Sequence, residues 1–150
     1  MMANLDSFHT KWTPRLLSVL RIIVGFMMVQ HGAQKLFGVL PQPGMPAAGS
    51  FSLFSLMGVA GVLEFFGGLL ILLGLFTRPA AFILSGLMAV AYFMAHAPGG
   101  FWPVLNKGEL AVVYCFVFLY LAAAGGGEWS IDRLLARGAR PSFSTGSDER

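Results

Sequence analysis

The first long hydrophobic run of this chain ends in polar side chains of the types that bind ligands and move protons. The stretch VQHGAQKLFG, residues 29 to 38, carries His31, Gln34 and Lys35. These positions, i, i+3 and i+4, share one face of a helix. Imidazole exchanges protons near neutral pH, and amide and ammonium groups donate hydrogen bonds to carbonyl oxygens. The spacing therefore predicts either a ligand-binding surface or a contact between helices.

Glu64 is the acidic residue best placed to meet this face. Arg21 and Arg78 serve as markers of the inner membrane interface, because long arginine side chains can snorkel toward the headgroups. By helical rise, Lys35 and Glu64 both lie about 21 Å above these markers. An ionised carboxylate in hydrocarbon costs about 2.5 to 3.5 kcal/mol on insertion scales, so Glu64 needs a cation, a proton or a water-lined pocket. The sequence predicts an ion pair between Lys35 and Glu64 in the outer half of the membrane.

This polar cluster has two interpretations, and the sequence leaves both open. In the first, a ligand binds among four side chains: His31, Gln34, Lys35 and Glu64. In the second, the ion pair is a structural clasp, and Gln30 and Gln34 form hydrogen bonds between helices. Glu64 shares a stripe with Gly61 and Gly68, small residues at which a neighbouring helix can approach closely. Under either interpretation, the stripe points into a bundle of helices.

His96 and Glu109 lie near the outer surface by the same helical rise and are candidates for the rim of the site. A haem held by His31 and His96 is disfavoured, because this count separates them by about 12 Å in depth. Cys115 is the single cysteine, which excludes an intramolecular disulfide, a CxxC redox pair and a cysteine-based zinc cluster. The sequence therefore assigns no catalytic residue and no metal site.

The composition is that of a membrane protein. Of the 150 residues, 56% are hydrophobic and 11% are charged, and the mean hydropathy is +0.71. Four segments are long enough to cross a hydrocarbon core of about 30 Å: 16 to 38, 56 to 76, 79 to 97 and 109 to 127. The sequence predicts an all-α membrane protein with four transmembrane helices in an antiparallel bundle. Its Lys and Arg residues are scattered between these segments, which argues against nucleic-acid binding.

Positive residues set the orientation of the predicted bundle. Eight of the ten Lys and Arg residues fall on one side if both termini are cytoplasmic, as the positive-inside rule favours. The loops at 39 to 55 and 98 to 108 then face outward. The sequence predicts three segments: a cytoplasmic N-terminal segment at 1 to 14, a four-helix membrane domain at 15 to 135, and a disordered cytoplasmic tail at 136 to 150. The membrane domain is predicted to end in a short interfacial helix capped by Ser130.

Three separated blocks form a recognisable pattern. They are HGAQKLFG at the end of the first span, LEFFGGLLILLGLFTRPAA across the second, and NKGELAVVYCFVFLYLAAAGGGEWSIDRLL across the fourth. Together they resemble the DoxX family of small membrane proteins, over about residues 15 to 135. The resemblance implies a four-helix protein of the bacterial inner membrane, linked to quinone-dependent thiosulfate oxidation or to membrane redox-defence complexes. It carries no catalytic residue over to this chain.

Two functions follow as hypotheses. The first is a redox-linked membrane component that binds a quinone or another small polar-headed lipophile in the outer half of the bundle. Because the chain has no motif for a flavin, haem or thiol pair, a partner subunit would supply the electrons. The second is a non-enzymatic scaffold, assembly or small-molecule permeation module. Under both, the expected partners are the lipid bilayer and another membrane or membrane-associated protein, and a homo-oligomer is compatible with the sequence.

Overall fold

The computed structural model describes residues 2 to 40 and 52 to 138, with side chains from residue 10 onward. Within these ranges the chain is helical and contains no strand, so the predicted all-α class is confirmed. Between the third and fourth helices it passes through a π turn at Tyr92–His96 and a 3-10 turn at Ala97–Gly99. The helices are α1 (Met2–Phe37), α2 (Leu56–Leu73), α3 (Thr77–Ala91), α4 (Pro103–Asn106), α5 (Glu109–Ala124) and α6 (Ile131–Gly138).

Three described segments are long and apolar enough to cross a membrane: Thr10–Phe37, Leu56–Leu73 and Thr77–Gly99. α5 is also apolar but has 16 residues, which make about 24 Å of helix against a hydrocarbon core of about 30 Å. α1 extends back to Met2 through Pro14, across the residues assigned from sequence to a separate N-terminal segment. Most of the predicted loop at 39 to 55 and of the predicted tail at 136 to 150 lies outside the described residues.

The connection from α2 to α3 depends on a glycine and on a carboxylate from α6. Gly74 has φ +69°, and the N–H groups of Gly74 and Leu75 donate to carbonyls of the last turn of α2, at 3.0 Å each. These two bonds form a Schellman motif, whose left-handed residue favours glycine. The Asp132 carboxylate then accepts the first N–H groups of α3, at 2.8 Å from Phe76 N and 2.9 Å from Thr77 N. α6 is thereby fixed to the turn.

α1 packs mainly on α2, and α3 mainly on α5. Gly25 contacts Leu72 whereas Gly61 contacts Lys35, so α1 and α2 run antiparallel. Glycines bring the backbones of α1 and α2 together, since Gly25 faces the backbone of Leu72 and Gly68 faces that of Val29. The predicted stripe of α2, with Glu64 between two glycines, is buried as expected. The apolar core that joins the four long helices consists of Val24, Met28, Ile71, Ala80, Ala81, Leu84, Met88, Tyr114, Phe118 and Leu121.

Arg21 does not snorkel to the headgroups, and this expectation was wrong. Its residue surface is 1% exposed, and its guanidinium donates to four carbonyl oxygens. These belong to Ile71 (2.5 Å), Leu72 (2.6 Å), Gly126 (2.8 Å) and Trp129 (2.8 Å). The last carbonyls of a helix have no partner within it, and the planar fork of arginine can satisfy several at once. Arg21 therefore joins the end of α2 to the 126–129 loop.

Gly68 provides a test of the close approach between α1 and α2. A Cβ atom at this position would lie 2.8 Å from Val29 N and 3.1 Å from Met28 C, so both backbones would have to separate. We expect Gly68→Ala to lower the free energy of unfolding by about 1 to 3 kcal/mol, and Gly68→Leu to lower it further.

The matched control is Gly86→Ala, because no atom lies within 4 Å of a Cβ built there. This substitution should leave the stability unchanged or raise it by about 0.5 to 1 kcal/mol, since alanine is the better helix former. Thermal unfolding in one detergent measures both variants. Equal stability of Gly68→Ala and Gly86→Ala would show that the α1–α2 contact is looser than described.

Candidate functional site

Lys35 and Glu64 form the predicted ion pair, with Lys35 Nζ 2.5 Å from Glu64 Oε1. Because α1 and α2 are antiparallel, residues near the end of α1 meet residues in the first half of α2. Gly61 lies one turn from Glu64, and a Cβ there would be 3.1 Å from Lys35 Cβ. The small residue thus makes room for the lysine to reach the carboxylate. Glu64 is 3% exposed, so this charge pair lies inside the bundle.

Two buried oxygen atoms near the pair have no hydrogen-bond partner among the residues that the structure describes. They are Glu64 Oε2 and the hydroxyl of Tyr114 on α5, whose residue is 4% exposed. Leaving a buried polar group unsatisfied costs about 1 to 3 kcal/mol, and more for a charged group. Both residues line the same cavity. The arrangement therefore offers hydrogen bonds to an occupant of that cavity.

The cavity has a volume of about 220 Å³ and lies between α1, α2, α3 and α5. We call it the Glu64 cavity. Lys107 and Leu110 are exposed at its edge, so it opens beside the first turn of α5. Its polar lining consists of His31, Lys35, Glu64, His96, Lys107 and Tyr114, and its apolar lining of Met28, Met88, Ala91, Leu110 and Ala111.

His31 and His96 both line this cavity, although the sequence count placed them about 12 Å apart in depth. His96 ends the π turn after α3, and such turns depart from regular helical rise and often occur at functional sites. Its Nδ1 lies 3.1 Å from the Asn106 carbonyl oxygen. The His31 ring makes an edge contact with Tyr114, with centroids 6.3 Å apart.

Gln34 and Glu109 do not join the other predicted residues in the Glu64 cavity. Gln34 Nε2 donates to the Leu40 carbonyl at 2.6 Å, and Gln34 lines a neighbouring cavity of about 230 Å³ together with Gln30 and His31. Its side chain is held by the backbone that follows α1. Glu109 is exposed in the first turn of α5, where a carboxylate interacts favourably with the positive end of the helix dipole.

Tyr114 and Lys107 are lining residues that sequence reasoning missed. In the run VVYCFVF, Tyr114 looks like one more aromatic residue of an apolar helix. The available signal was its hydroxyl, because a tyrosine buried in mid-span needs a hydrogen-bond partner. Across the described ranges, no group of three His, Cys, Asp or Glu residues is placed to hold a metal ion.

Comparison with known proteins decides the family. The DoxX family model matches residues 16–97, which is more than half of the chain. The chain belongs to the DoxX family. A Haemophilus influenzae protein is 44% identical to this DoxX protein over 136 residues, covering 87% of this chain and 96% of that one. No solved structure matches the chain.

Two further relatives of this DoxX protein are named as membrane proteins. The Escherichia coli inner membrane protein YqjF is 32% identical over 126 residues, which cover 78% of this chain and 89% of YqjF. A Mycobacterium tuberculosis membrane protein is 30% identical over 148 residues, with 87% of each chain covered. Together with several apolar helices, these relatives place the DoxX protein in the bacterial inner membrane as a multi-pass protein.

Proposed function

We propose that the Glu64 cavity binds the ring head of a quinone-class lipophile, and that the protein is the membrane subunit or accessory of a redox complex. One observation carries the proposal: Glu64 and Tyr114 line one cavity, and Glu64 Oε2 and the Tyr114 hydroxyl are both buried without a hydrogen-bond partner in the described part of the chain. A structural clasp needs Lys35 and Glu64, but it does not need Tyr114. The second oxygen of Glu64 and the tyrosine hydroxyl therefore have hydrogen-bonding capacity that the clasp does not use.

The hydrogen-bonding chemistry favours a head that carries a hydroxyl group. An ionised Glu64 only accepts hydrogen bonds, whereas the Tyr114 hydroxyl both donates and accepts. A quinol can donate an O–H to Glu64 Oε2 and accept from Tyr114, while an oxidised quinone has only acceptors to offer. The carboxylate therefore favours the reduced form. Oxidation of a quinol releases two protons and two electrons, so Glu64 and His31 would each take up one proton while both electrons pass to the partner protein.

The size of the cavity fits a head group rather than a whole lipophile. Its volume of about 220 Å³ is below the roughly 300 to 1,000 Å³ of sites that enclose a drug-sized molecule. An isoprenoid tail would therefore extend past the exposed Leu110 into lipid. The sequence has one cysteine and no motif for a bound redox centre, so electrons would pass to or from a partner protein.

The test measures quinone carried by the protein after purification in native lipid. We expect extraction to yield quinone from the natural protein, and Tyr114→Phe to weaken binding of an added quinol by roughly fivefold, the worth of about 1 kcal/mol for one hydrogen bond. Tyr120→Phe is the matched control, because Tyr120 lies on the same helix but is exposed. Absence of quinone together with equal affinities for the two variants would overturn the proposal.

The proposed topology has four spans in an antiparallel bundle, with α5 as a short fourth span and both termini in the cytoplasm. Positive residues support it, since Arg78 and the C-terminal arginines then face inward. In a Cys115→Ala background, Val104→Cys should react with an impermeant maleimide on intact spheroplasts, and Thr145→Cys only after permeabilisation. Labelling of Thr145→Cys alone on intact spheroplasts would contradict this orientation.

The alternative function is a non-enzymatic scaffold, assembly or permeation module, in which the polar cluster only holds the helices together. The 2.5 Å contact between Lys35 and Glu64 supports it, because a close pair inside a bundle fixes the register of two helices. A homo-oligomer or another membrane protein would then be the functional partner. The double variant Lys35→Met/Glu64→Gln separates this alternative from ligand binding.

A further inference from the structure

A second and larger cavity lies at the opposite end of the bundle from the Glu64 cavity. Its volume is about 550 Å³, and we call it the Arg78 cavity. It lies between α1, the turn from α2 to α3, the loop after α5, and the start of α6. Its lining consists of Pro14, Leu17, Phe76, Thr77, Arg78, Pro79, Ala124, Gly125, Gly126, Gly127, Ser130, Asp132 and Arg133.

The charged groups of this cavity leave an excess of positive charge. Arg78 and Arg133 are exposed at its edge. Nη1 of Arg78 donates to the carbonyls of Ala123 (2.6 Å) and Ala122 (3.3 Å), which holds the guanidinium in place at the end of α5. Of the described residues that line the cavity, Asp132 alone is acidic, and backbone N–H groups at the start of α3 already donate to its carboxylate. Two arginines therefore line the opening, whereas the one carboxylate is bound to the N-terminus of α3.

A buried hydroxyl points independently to a ligand. Thr77 lines the cavity and is 0% exposed, yet its Oγ1 has no hydrogen-bond partner within residues 10 to 40 and 52 to 138. Such a group is costly unless something accepts or donates a hydrogen bond to it. A phosphate oxygen is a strong acceptor for a hydroxyl and for guanidinium N–H groups together. The donor set thus matches an anionic phosphate.

The surroundings of the cavity indicate that it opens at the membrane surface. Trp129, Leu134 and Leu135 are exposed beside it, on and just before α6. The same short helix carries Arg133 and Arg137. Basic helices that expose tryptophan and leucine lie in the membrane interface, with their apolar side chains among the acyl chains. A phosphate at this depth would be part of a lipid headgroup.

We propose that the Arg78 cavity binds the headgroup phosphate of an anionic phospholipid, with Arg78 and Arg133 pairing the phosphate oxygens and Thr77 donating a hydrogen bond. Basic pockets between membrane helices are suited to such headgroups. The site lies apart from the Glu64 cavity, and the proposal stands whether or not a quinone binds there. It assigns this end of the protein a specific lipid contact in addition to the general contact of any membrane helix.

Native mass spectrometry of the full chain in detergent tests the proposal by titration with phosphatidylglycerol and phosphatidylcholine. We expect phosphatidylglycerol to bind at least about fivefold more tightly, the effect of roughly 1 kcal/mol. Arg133→Gln, Arg78→Gln and Thr77→Val should each weaken that binding severalfold. Arg137→Gln is the matched control, because Arg137 is an exposed arginine of α6 that does not line the cavity.

Three results would overturn the proposal. Equal affinity for the two lipids would show that the headgroup charge is not recognised. An effect of Arg137→Gln as large as that of Arg133→Gln would indicate general attraction between a basic helix and an anionic surface. Displacement of the bound lipid by equimolar inorganic phosphate would show that free phosphate, rather than the lipid, is the ligand. Because Arg78 also caps α5, Arg133→Gln decides the outcome if Arg78→Gln unfolds.

Discussion

Lys35→Met is expected to lower the free energy of unfolding by about 3 to 5 kcal/mol, because it leaves the carboxylate of Glu64 buried without its cation. Glu64→Gln should be milder, since Lys35 lies near the end of α1 and its longer side chain can reach toward the surface. Thermal unfolding in detergent gives both values. Lys107→Met is the control: this lysine lines the same cavity but forms no ion pair among the described residues, and its loss should cost much less.

The double variant Lys35→Met/Glu64→Gln separates the two functions. Removing both partners of a buried pair can be nearly neutral, so the double variant should be more stable than Lys35→Met alone. If the pair is only a clasp, growth under redox stress should recover with stability. If the pair belongs to a ligand site, stability should return while function stays lost. Strictly additive effects on stability would show that the two residues do not interact.

Arg21→Lys is expected to cost at least about 3 kcal/mol, because hydrogen bonds to a charged group contribute roughly 1.5 to 3 kcal/mol each and the guanidinium makes four. A lysine keeps the charge but lacks the planar fork that reaches the end of α2 and the 126–129 loop together. Arg21→Met should be worse still, since it leaves buried carbonyls without any donor.

Arg15→Lys is the matched control for Arg21. Arg15 lies less than two turns away on α1 and pairs with Glu128 at 3.3 Å, but both side chains are about a third exposed, so the pair contributes about 0 to 1 kcal/mol. The melting temperatures of the two lysine variants in one detergent should therefore differ clearly. Similar values would mean that Arg21 does not hold the loop in the folded protein.

Hydropathy predicted the helices well because lipid imposes a strict condition on the backbone. Every peptide group in hydrocarbon must form its hydrogen bonds within the protein, so a long apolar run that crosses the membrane folds as a helix. The meeting of Lys35 and Glu64 was also predictable, since fixed helical rise and an antiparallel hairpin determine which depths coincide. The last apolar helix is shorter than the span predicted at 109 to 127, because α5 ends at Ala124, where the glycine-rich run begins.

Features that depend on long-range contacts or on irregular backbone could not be read from the sequence. The partners of Arg21 lie about 50 and 105 residues away, and no periodicity links them. His96 reached the cavity through a π turn, which a regular helical count does not anticipate. Tyr114 faces the cavity because of the rotation of α5 about its axis, and a helix that is apolar all round gives no signal of that rotation.

The most direct measurement of the central claim is an experimental structure of the protein in native lipid, at a resolution that shows ring-shaped ligands. We expect density for a ring head inside the Glu64 cavity, within hydrogen-bond distance of Glu64 Oε2 and the Tyr114 hydroxyl, with its tail leaving past Leu110. Both oxygens would then have hydrogen-bond partners, which no residue in the described part of the chain provides. A cavity that holds only ordered water, or one closed tightly around the Lys35–Glu64 pair, would contradict ligand binding and leave the clasp.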